Sequence, residues 1–360
     1  MKLMAQAKLL PTTEQAQALR ETLERTNALC NWLSAWAWEH QTFRQFPLHY
    51  GCYHAARERF GLSAQITVRA EAKVSDAYKL DHRSKRAFAL HGAISYDSRI
   101  LRWKIAPSEV SIWTVAGRQT IPFVCGERQR TLLQFQQGES DLALVNGEWF
   151  LFATCNVDEP EPGDVTDFLG VDMGIVNIAS DSDGTVYSGA EVNGLRHRHR
   201  RLRAKLQSKG TKSAKRVLKN RRRKESRFAK HVNHCISKKI VAAAERTKRG
   251  IALEDLKGIR TRVRVRQPQR ATLSSWSFAQ LGGFIHYKAA LAGIPLVFVD
   301  PRNTSRTCPT CGLVDNRNRP SQSVFSCVSC GFSGPADTIA ACNIARRAAV
   351  RQPYAVGLPA

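Results

Sequence analysis

Apolar and polar positions alternate weakly along Ala5 to Leu10, as in a short strand. Pro11-Thr12-Thr13-Glu14 follows with the N-cap and capping-box spacing that predicts a helix from near Thr13. Leu19, Leu23, Leu29, Trp32, Leu33 and Trp36 then recur at helical intervals, and a thinning version of the pattern runs as far as Leu90, predicting a helical block of about 80 residues. Between Ala93 and Val157 the pattern changes. Trp103, Ile105, Val110, Ile112, Trp113, Ile121 and Phe123, then Leu142, Leu144, Trp149 and Leu151, are punctuated by Ala-Gly and Asn-Gly turns, which predicts antiparallel strands forming a small barrel. Pro160 to Asp164 reads as a linker, because Glu-Pro-Glu-Pro-Gly continues neither a strand nor a helix.

Beyond the linker, Phe168 to Asp172 has the unbroken apolar pattern of a buried strand, followed by Ile175 to Ala179, the turn Ser180 to Gly184, and Thr185 to Tyr187. Gly250 to Asp255 and Ile294 to Asp300 read as further strands, with a helix from about Ser277 to Ala292 between them. Phe228, Val232, Ile236 and Ile240 follow at i+4 steps and mark the buried stripe of another helix. Strands alternating with helices make this half an α/β domain.

Composition adds a partner to this picture. The chain has 360 residues, enough for two or three domains, and a formal charge of +25. Residues 196–230 hold 17 Lys or Arg against one acid, Glu225, so this stretch carries +16 of that surplus. The break at Ser208 to Ser213 divides it into two helices with a strongly cationic face. Such a face is usually just solvated, but here acids to pair with are missing, and phosphates that replace its counterions gain a large, salt-dependent binding term. Arg216, Lys219, Arg221, Arg222, Arg223, Lys224 and Arg227 are the candidate nucleic-acid contacts. No apolar run approaches the ~20 residues that span a bilayer, and the first ten residues lack a leader pattern. With six of ten cysteines scattered, a reducing, cytoplasmic setting is expected.

The other four cysteines form the sharpest local signal. Cys308-Pro-Thr-Cys311 and Cys327-Val-Ser-Cys330 are each followed by a glycine, Gly312 or Gly331, that permits a tight turn aiming two thiolates at one ion. Four cysteines close a tetrahedral Zn²⁺ shell and leave no place for an activated water, so the site is structural. Acids at element ends form the second signal: Asp172 closes the first strand of the α/β half, Glu254 ends a later one, and Asp337 opens the last helix. Singly each is an ordinary turn or cap residue. Together they suit two Mg²⁺ ions, which turn carboxylate repulsion into coordination and place an activated water in line with a phosphate. Asp181, Asp183, Asp255 and Asp300 are rivals, the first two expected to be solvated in a hairpin turn. Trp32, Trp36 and Trp38 suit either base stacking or an ordinary packed helix.

These residues bring out a family likeness. The chain resembles TnpB, the OrfB-type protein of small insertion sequences related to type V CRISPR effectors. The likeness is carried by Gly170-Val-Asp172-Met-Gly174-Ile-Val-Asn177, Leu253-Glu254-Asp-Leu256, Trp276-Ser-Phe278-Ala-Gln-Leu281, Gly293-Ile-Pro-Leu-Val-Phe-Val-Asp300-Pro, Asn303-Thr304-Ser305, both cysteine pairs, and Ala336-Asp337 with Asn343-Ile344. In the N-terminal half it extends to Leu10-Pro-Thr, Glu14-Gln15 and Cys30-Asn31-Trp32. One departure stands out: where the family usually reads Asp-x-Asn-Ala-Ala, this chain has Asp337-Thr338-Ile339-Ala340-Ala341.

The resemblance implies an α+β multidomain protein. An N-terminal β-barrel (1–10 and 93–160) carries an inserted helical lobe (11–92). An RNase H-like (RuvC) α/β domain (165–304 and 336–350) is interrupted by a four-cysteine zinc ribbon (305–335), and 351–360 form a tail. It further implies Asp172, Glu254 and Asp337 as the catalytic, Mg²⁺-binding acids, and an RNA-guided DNA endonuclease whose guide RNA, transcribed from the transposon end, pairs with double-stranded target DNA beside a short motif read by the protein. A guide-dependent DNA-binding protein that does not cut, motivated by Ile339, and a DNA transposase are the alternatives, and a minimal CRISPR effector is chemically the same enzyme.

Overall fold

Thr12 caps the first helix: its hydroxyl accepts from the Gln15 N–H at 3.3 Å, and Gln15 Oε1 accepts from the Thr12 N–H at 3.1 Å. This capping box separates strand β1 (Lys2–Leu9) from helix α1 (Thr13–Glu39). The computed structural model describes residues 1–221, 223–258 and 278–351, in two units, 1–158 and 159–360.

In the first unit, α1 is followed by α2 (Gln45–Phe60), α3 (Ala64–Leu80), β2 (Ile94–Tyr96), β3 (Leu101–Lys104), β4 (Glu109–Thr114), β5 (Gly117–Val124), α4 (Glu127–Leu133), β6 (Gln136–Val145) and β7 (Glu148–Asn156). The seven strands form one sheet in the order β2-β6-β7-β1-β5-β4-β3. Its two edges approach each other: the Tyr96 hydroxyl on β2 donates to the Trp113 carbonyl on β4 at 3.2 Å, and Trp103 Nε1 on β3 donates to Ser140 Oγ on β6 at 3.1 Å. The result is a nearly closed barrel, with the unpaired groups of both sheet edges drawn toward each other. Period-2 alternation sends Ala5, Ala7, Leu9, Val110, Ile112, Ile121, Leu142 and Leu151 into its core.

Helices α1–α3 are inserted between β1 and β2, with Leu19, Leu23, Leu33, Ile66, Ala70 and Val74 buried among them. Trp32, Trp36 and Trp38 pack against this core, and Gly51 is the space that Trp36 needs, since a Cβ there would stand 2.5 Å from its ring. The helical block is shorter than its periodicity suggests. Helix α3 ends at Leu80, and residues 81–93 form a strap over α1. Asn31 and Phe88 exchange two hydrogen bonds, Asn27 Nδ2 donates to the Gly92 carbonyl at 2.8 Å, and Ser34 Oγ donates to the Arg86 carbonyl at 2.7 Å. Polar side chains set into α1 satisfy the strap backbone, so it needs no helix of its own.

The second unit contains β8 (Phe168–Asp172), β9 (Asn177–Asp181), β10 (Val186–Ser188), α5 (Ala190–Lys209), α6 (Lys212–Arg221), α7 (Lys224–Arg246), β11 (Gly250–Glu254), α8 (Phe278–Leu291), β12 (Leu296–Val299), β13 (Val324–Ser326), β14 (Ser333–Pro335) and α9 (Ala336–Arg351). Its main sheet has the order β10-β9-β8-β11-β12; β8, β11 and β12 are parallel, while β9 pairs antiparallel with both β8 and β10. Helices cover both faces. Ile236, Ile240, Leu281 and Ile285 of α7 and α8 pack on Leu169, Val171 and Leu253, whereas Ile344 and Ala348 of α9 pack on Phe168, Ala252 and Val299. This two-sided cover accounts for the unbroken apolar runs of β8 and β11.

The cationic stretch contains one more break than its sequence suggests. Helix α6 closes at Arg221 and α7 opens at Lys224, with Arg223 in the left-handed region at φ +75°. Helix α8 is described from Phe278 onward; the motif residues Trp276 and Ser277 lie outside the described residues, as do Arg222 and residues 352–360 of the expected tail. Among the described residues no helix is long and apolar enough to cross a membrane.

Candidate functional site

Asp172 and Glu254 end two adjacent parallel strands. Val171 pairs with Leu253, so the next residue of each strand falls at the same carboxyl edge of the sheet. Asp337 stands in the first turn of α9, the helix laid across β8. Gly170 permits this close approach: a Cβ there would lie 2.0 Å from the Ala341 carbonyl oxygen and 2.7 Å from the Ala345 nitrogen. Burial first, then the Glu254 and Asp337 carboxylates, push Asp172 up to about 7, against the pull of the Arg319 guanidinium. Burial also raises Glu254, which accepts a hydrogen bond from Thr304 Oγ1.

Three supporting side chains hold these acids. Asn177 Nδ2 donates to Asp337 Oδ2 at 2.9 Å, and Arg319 Nη2 reaches Asp337 Oδ1 at 3.3 Å while also donating to the Gln322 carbonyl at 2.7 Å. Asn177 and Thr304 lie within the family-like motifs. Arg319 carries no sequence signal, because it sits in a polar loop between the cysteine pairs.

The rivals are otherwise engaged. Asp181 is buried rather than solvated: its Oδ1 accepts from the Asp183 and Thr185 N–H groups and closes the β9–β10 turn. Asp183 pairs with Arg249 at 2.9 Å. Asp255 and Asp300 accept from the N–H two residues ahead, at 3.1 Å to Lys257 and 2.9 Å to Arg302.

The cysteine quartet and the three acids differ in compactness. Among the described residues, the four cysteines are the one group of three or more His, Cys, Asp or Glu whose ligand atoms all lie within 4.8 Å of one another. Cys308 and Cys330 sulfurs stand 3.6 Å apart, and those of Cys311 and Cys327 3.5 Å. A zinc tetrahedron with ~2.3 Å bonds has sulfurs about 3.8 Å apart, so the quartet fits one Zn²⁺ ion. Each knuckle turns the same way: the Gly312 N–H donates to the Cys308 carbonyl and the Gly331 N–H to the Cys327 carbonyl, with both glycines at positive φ. Asn318, fully buried, ties the knuckles together by donating to the Arg306 and Leu313 carbonyls and accepting from the Val328 N–H.

The carboxylates form a wider arrangement. Two Mg²⁺ ions ~4 Å apart with ~2.1 Å bonds tolerate ligand oxygens spread over about 8 Å, so a wider set of hard oxygen donors suits a pair of such ions. The mutual repulsion that raises Asp172 is what bound cations would relieve.

The expected nucleic-acid contacts Arg216, Lys219, Arg221, Arg223, Lys224 and Arg227 are exposed on α6, on α7 and at the break between them; Arg222 lies outside the described residues. Glu225, the lone acid of the stretch, lies 3.3 Å from Arg203 and 3.9 Å from Arg196.

Residues 152–257 match the OrfB_IS605 family, described as a probable transposase, and residues 278–344 match the Cas12f1-like TNB domain. The chain is 33% identical over 199 residues to the CRISPR-associated endodeoxyribonuclease Cas12f1 of Sulfoacidibacillus thermotolerans, covering 51% of this chain and 46% of that one. It is 30% identical over 148 residues to a TnpB-like protein of Methanocaldococcus jannaschii, covering 41% and 52%. It is 26% identical over 219 residues to the proposed RNA-guided DNA endonuclease InsQ of Escherichia coli (strain K12), covering 55% and 53%. The matches thus span about half the length of these relatives. A cryo-EM structure of a Cas12f1-sgRNA-target DNA complex shares the fold with a TM-score of 0.63 at 16% identity, over 93% of this chain and 83% of that one. In these matched segments the chain is similar to TnpB-type and Cas12f1-type proteins.

Proposed function

We propose that the chain is an RNA-guided DNA endonuclease whose α/β unit is a RuvC-type, RNase H-like nuclease, with Asp172, Glu254 and Asp337 as its catalytic acids. The observation that carries this reading is the placement of Asp172 beside Glu254 at one sheet edge, with Asp337 near enough to add to the rise that burial and Glu254 give the Asp172 carboxyl. Divalent ions held there would supply an activated water and neutralise charge developing on the scissile phosphate. Thr304 and Asn177 fix the rotamers of Glu254 and Asp337, which keeps donor oxygens in place. Arg319 brings a positive charge to the same edge, where it offsets carboxylate repulsion and can meet a phosphate oxygen.

The ribbon is a structural Zn²⁺ site, and the exposed cations of α6 and α7 hold the guide RNA and its DNA target. The relatives support this reading, being named CRISPR-associated endodeoxyribonuclease, TnpB-like protein and proposed RNA-guided DNA endonuclease. Ile339 gives the non-cutting alternative little support. It is 5% exposed and packs with Ala336, Phe325, Cys308 and Cys327 in the ribbon core. The test is cleavage of a plasmid by the chain copurified with its RNA. Magnesium-dependent breaks are expected in the wild type, with intact DNA in Asp172→Ala. A wild type that shifts the plasmid without breaking it overturns the nuclease reading.

A further inference from the structure

Thr304, the partner of Glu254, lies in a tight turn that leads directly into the first zinc knuckle. Asn303 enters this turn in the left-handed region at φ +63°. Its carbonyl accepts from the Arg306 and Thr307 N–H groups at 3.1 Å and from the Thr307 hydroxyl at 2.8 Å. The Thr304 and Thr307 carbonyls are both met by one side chain: Asn343 Nδ2 donates to each at 2.8 Å. Asn343 is 4% exposed and Thr304 3%, so neither bond is shared with bulk water. An amide nitrogen carries two hydrogens and can clamp both carbonyls, whereas an apolar side chain clamps neither. Without the clamp two buried carbonyls lack a donor, and the turn relieves that cost only by moving.

Asn343 belongs to α9, the helix whose first turn holds Asp337. One helix therefore carries one acid and clamps the turn that orients another. We infer that Asn343 is a positioning residue for the acidic edge: by clamping the 303–307 turn it holds the Thr304 hydroxyl on Glu254, and so sets the affinity of the edge for divalent cations. Side chains that orient a metal-binding carboxylate without touching the ion have this effect on affinity. Support of the zinc knuckle alone is the competing role, since Thr307 precedes Cys308. The knuckles argue against it. They close alike, the Cys308 N–H on the Leu313 carbonyl at 2.9 Å and the Cys327 N–H on the Phe332 carbonyl at 2.8 Å. The second follows strand β13 rather than a clamped turn, so a clamp is not what a knuckle requires. The inference rests on the reading of Asp172, Glu254 and Asp337 as cation-binding acids.

The test is thermal melting of the full-length chain in rising Mg²⁺ without nucleic acid, with zinc content measured on the same samples. In the wild type the melting temperature should rise with Mg²⁺, and Asp172→Ala should abolish the rise. Asn343→Ala should increase the Mg²⁺ concentration for half the rise about tenfold while one zinc per chain is kept. Where that variant does not fold, Asn343→Ser, which keeps one donor, takes its place. Thr304→Val removes the hydroxyl but keeps the carbonyl, and should shift the midpoint by the same factor. The double variant should shift it no further, because both changes act through Glu254. Cleavage by either single variant should fall at limiting Mg²⁺ and recover at high Mg²⁺. A lower melting temperature with an unchanged Mg²⁺ midpoint, additive shifts in the double variant, or zinc loss as complete as in Cys308→Ser overturns the positioning role and leaves the acidic site intact. A wild type indifferent to Mg²⁺, or a rise that survives Asp172→Ala, overturns the acidic site and the positioning role together.

Discussion

Asp172 and Glu254 end neighbouring parallel strands directly after the Val171–Leu253 pair, so a half-buried and a buried carboxylate share one edge of the sheet. Such a pair is unfavourable in the free protein and useful once cations arrive. The cost should be visible in stability, and its relief in metal dependence.

Burial, Glu254 and Asp337 lift Asp172 from the ordinary aspartate range to about 7. A carboxyl raised on folding holds its proton more tightly in the folded state than in the unfolded chain. Its contribution to stability is therefore intact below about pH 4 and is lost as pH rises to about 7. At ~1.4 kcal/mol per pH unit the ceiling is about 4 kcal/mol in the magnesium-free protein. Asp172→Asn should remove this decline, raising the melting temperature at pH 8 relative to wild type but not at pH 4, and Mg²⁺ should close the gap by stabilising the wild type. Parallel melting curves for the two proteins across this range would sink the assignment of Asp172 to a crowded acidic edge.

Arg319 touches Asp337 and draws the Asp172 carboxyl down. Arg319→Gln should slow cleavage by about tenfold to a hundredfold, in keeping with the loss of one charge-stabilising donor, and should raise the Mg²⁺ concentration needed for half-maximal rate. Zinc content should not change. A variant that cuts normally at limiting Mg²⁺ would show that Arg319 serves only the ribbon loop.

Cys308 is nearly fully buried within the apolar core formed by Phe325, Cys327, Ala336 and Ile339. Cys308→Ser should reduce bound zinc from one ion per chain towards none. A loss of ~2–3 kcal/mol should lower the melting temperature by about 5–10 °C. Metal analysis and thermal melts check both. Because Ala336 and Ile339 flank Asp337, the same variant should cut poorly even in excess Mg²⁺.

The exposed cations of α6 should act by charge more than by geometry. Replacing Arg216 and Lys219 together with alanine should weaken RNA binding uniformly across sequences and reduce the salt slope of binding by about one to two. An unchanged salt slope in a filter-binding titration would place the RNA elsewhere.

What the sequence discloses is what depends on neighbours along the chain. The cysteine pairs, the Thr12 capping box and the unbroken apolar runs of β8 and β11 are local patterns, so they can be read before the fold is known. The strap over α1 is hidden because its backbone is satisfied by Asn27, Asn31 and Ser34 from about 50 to 65 residues away. The break at Arg223 is hidden because arginine carries no turn signal, and Asp181 reads as solvated because a hairpin acid usually is. Arg319 becomes significant only when the ribbon brings it to Asp337.

Gly170 gives a test of the whole arrangement, because it is the point at which α9 meets β8. A methyl group there would fall 2.0 Å from the Ala341 carbonyl oxygen, a backbone atom that cannot rotate away. Gly170→Ala must therefore lift α9 from the sheet, opening the contact of Ile344 and Ala348 with Phe168, Ala252 and Val299 and moving Asp337 away from Asp172. Overpacking of this kind costs ~1–3 kcal/mol where side chains can yield, and more where backbone must move. The variant should melt at least 5 °C below wild type, by the ~2–4 °C per kcal/mol expected for a unit of this size. Its cleavage should fall further than its folded fraction does, because separated acids no longer share their cations. Cleavage that tracks the folded fraction alone, measured at a temperature where half the variant is native, would mean that the spacing of Asp337 from Asp172 does not govern the chemistry.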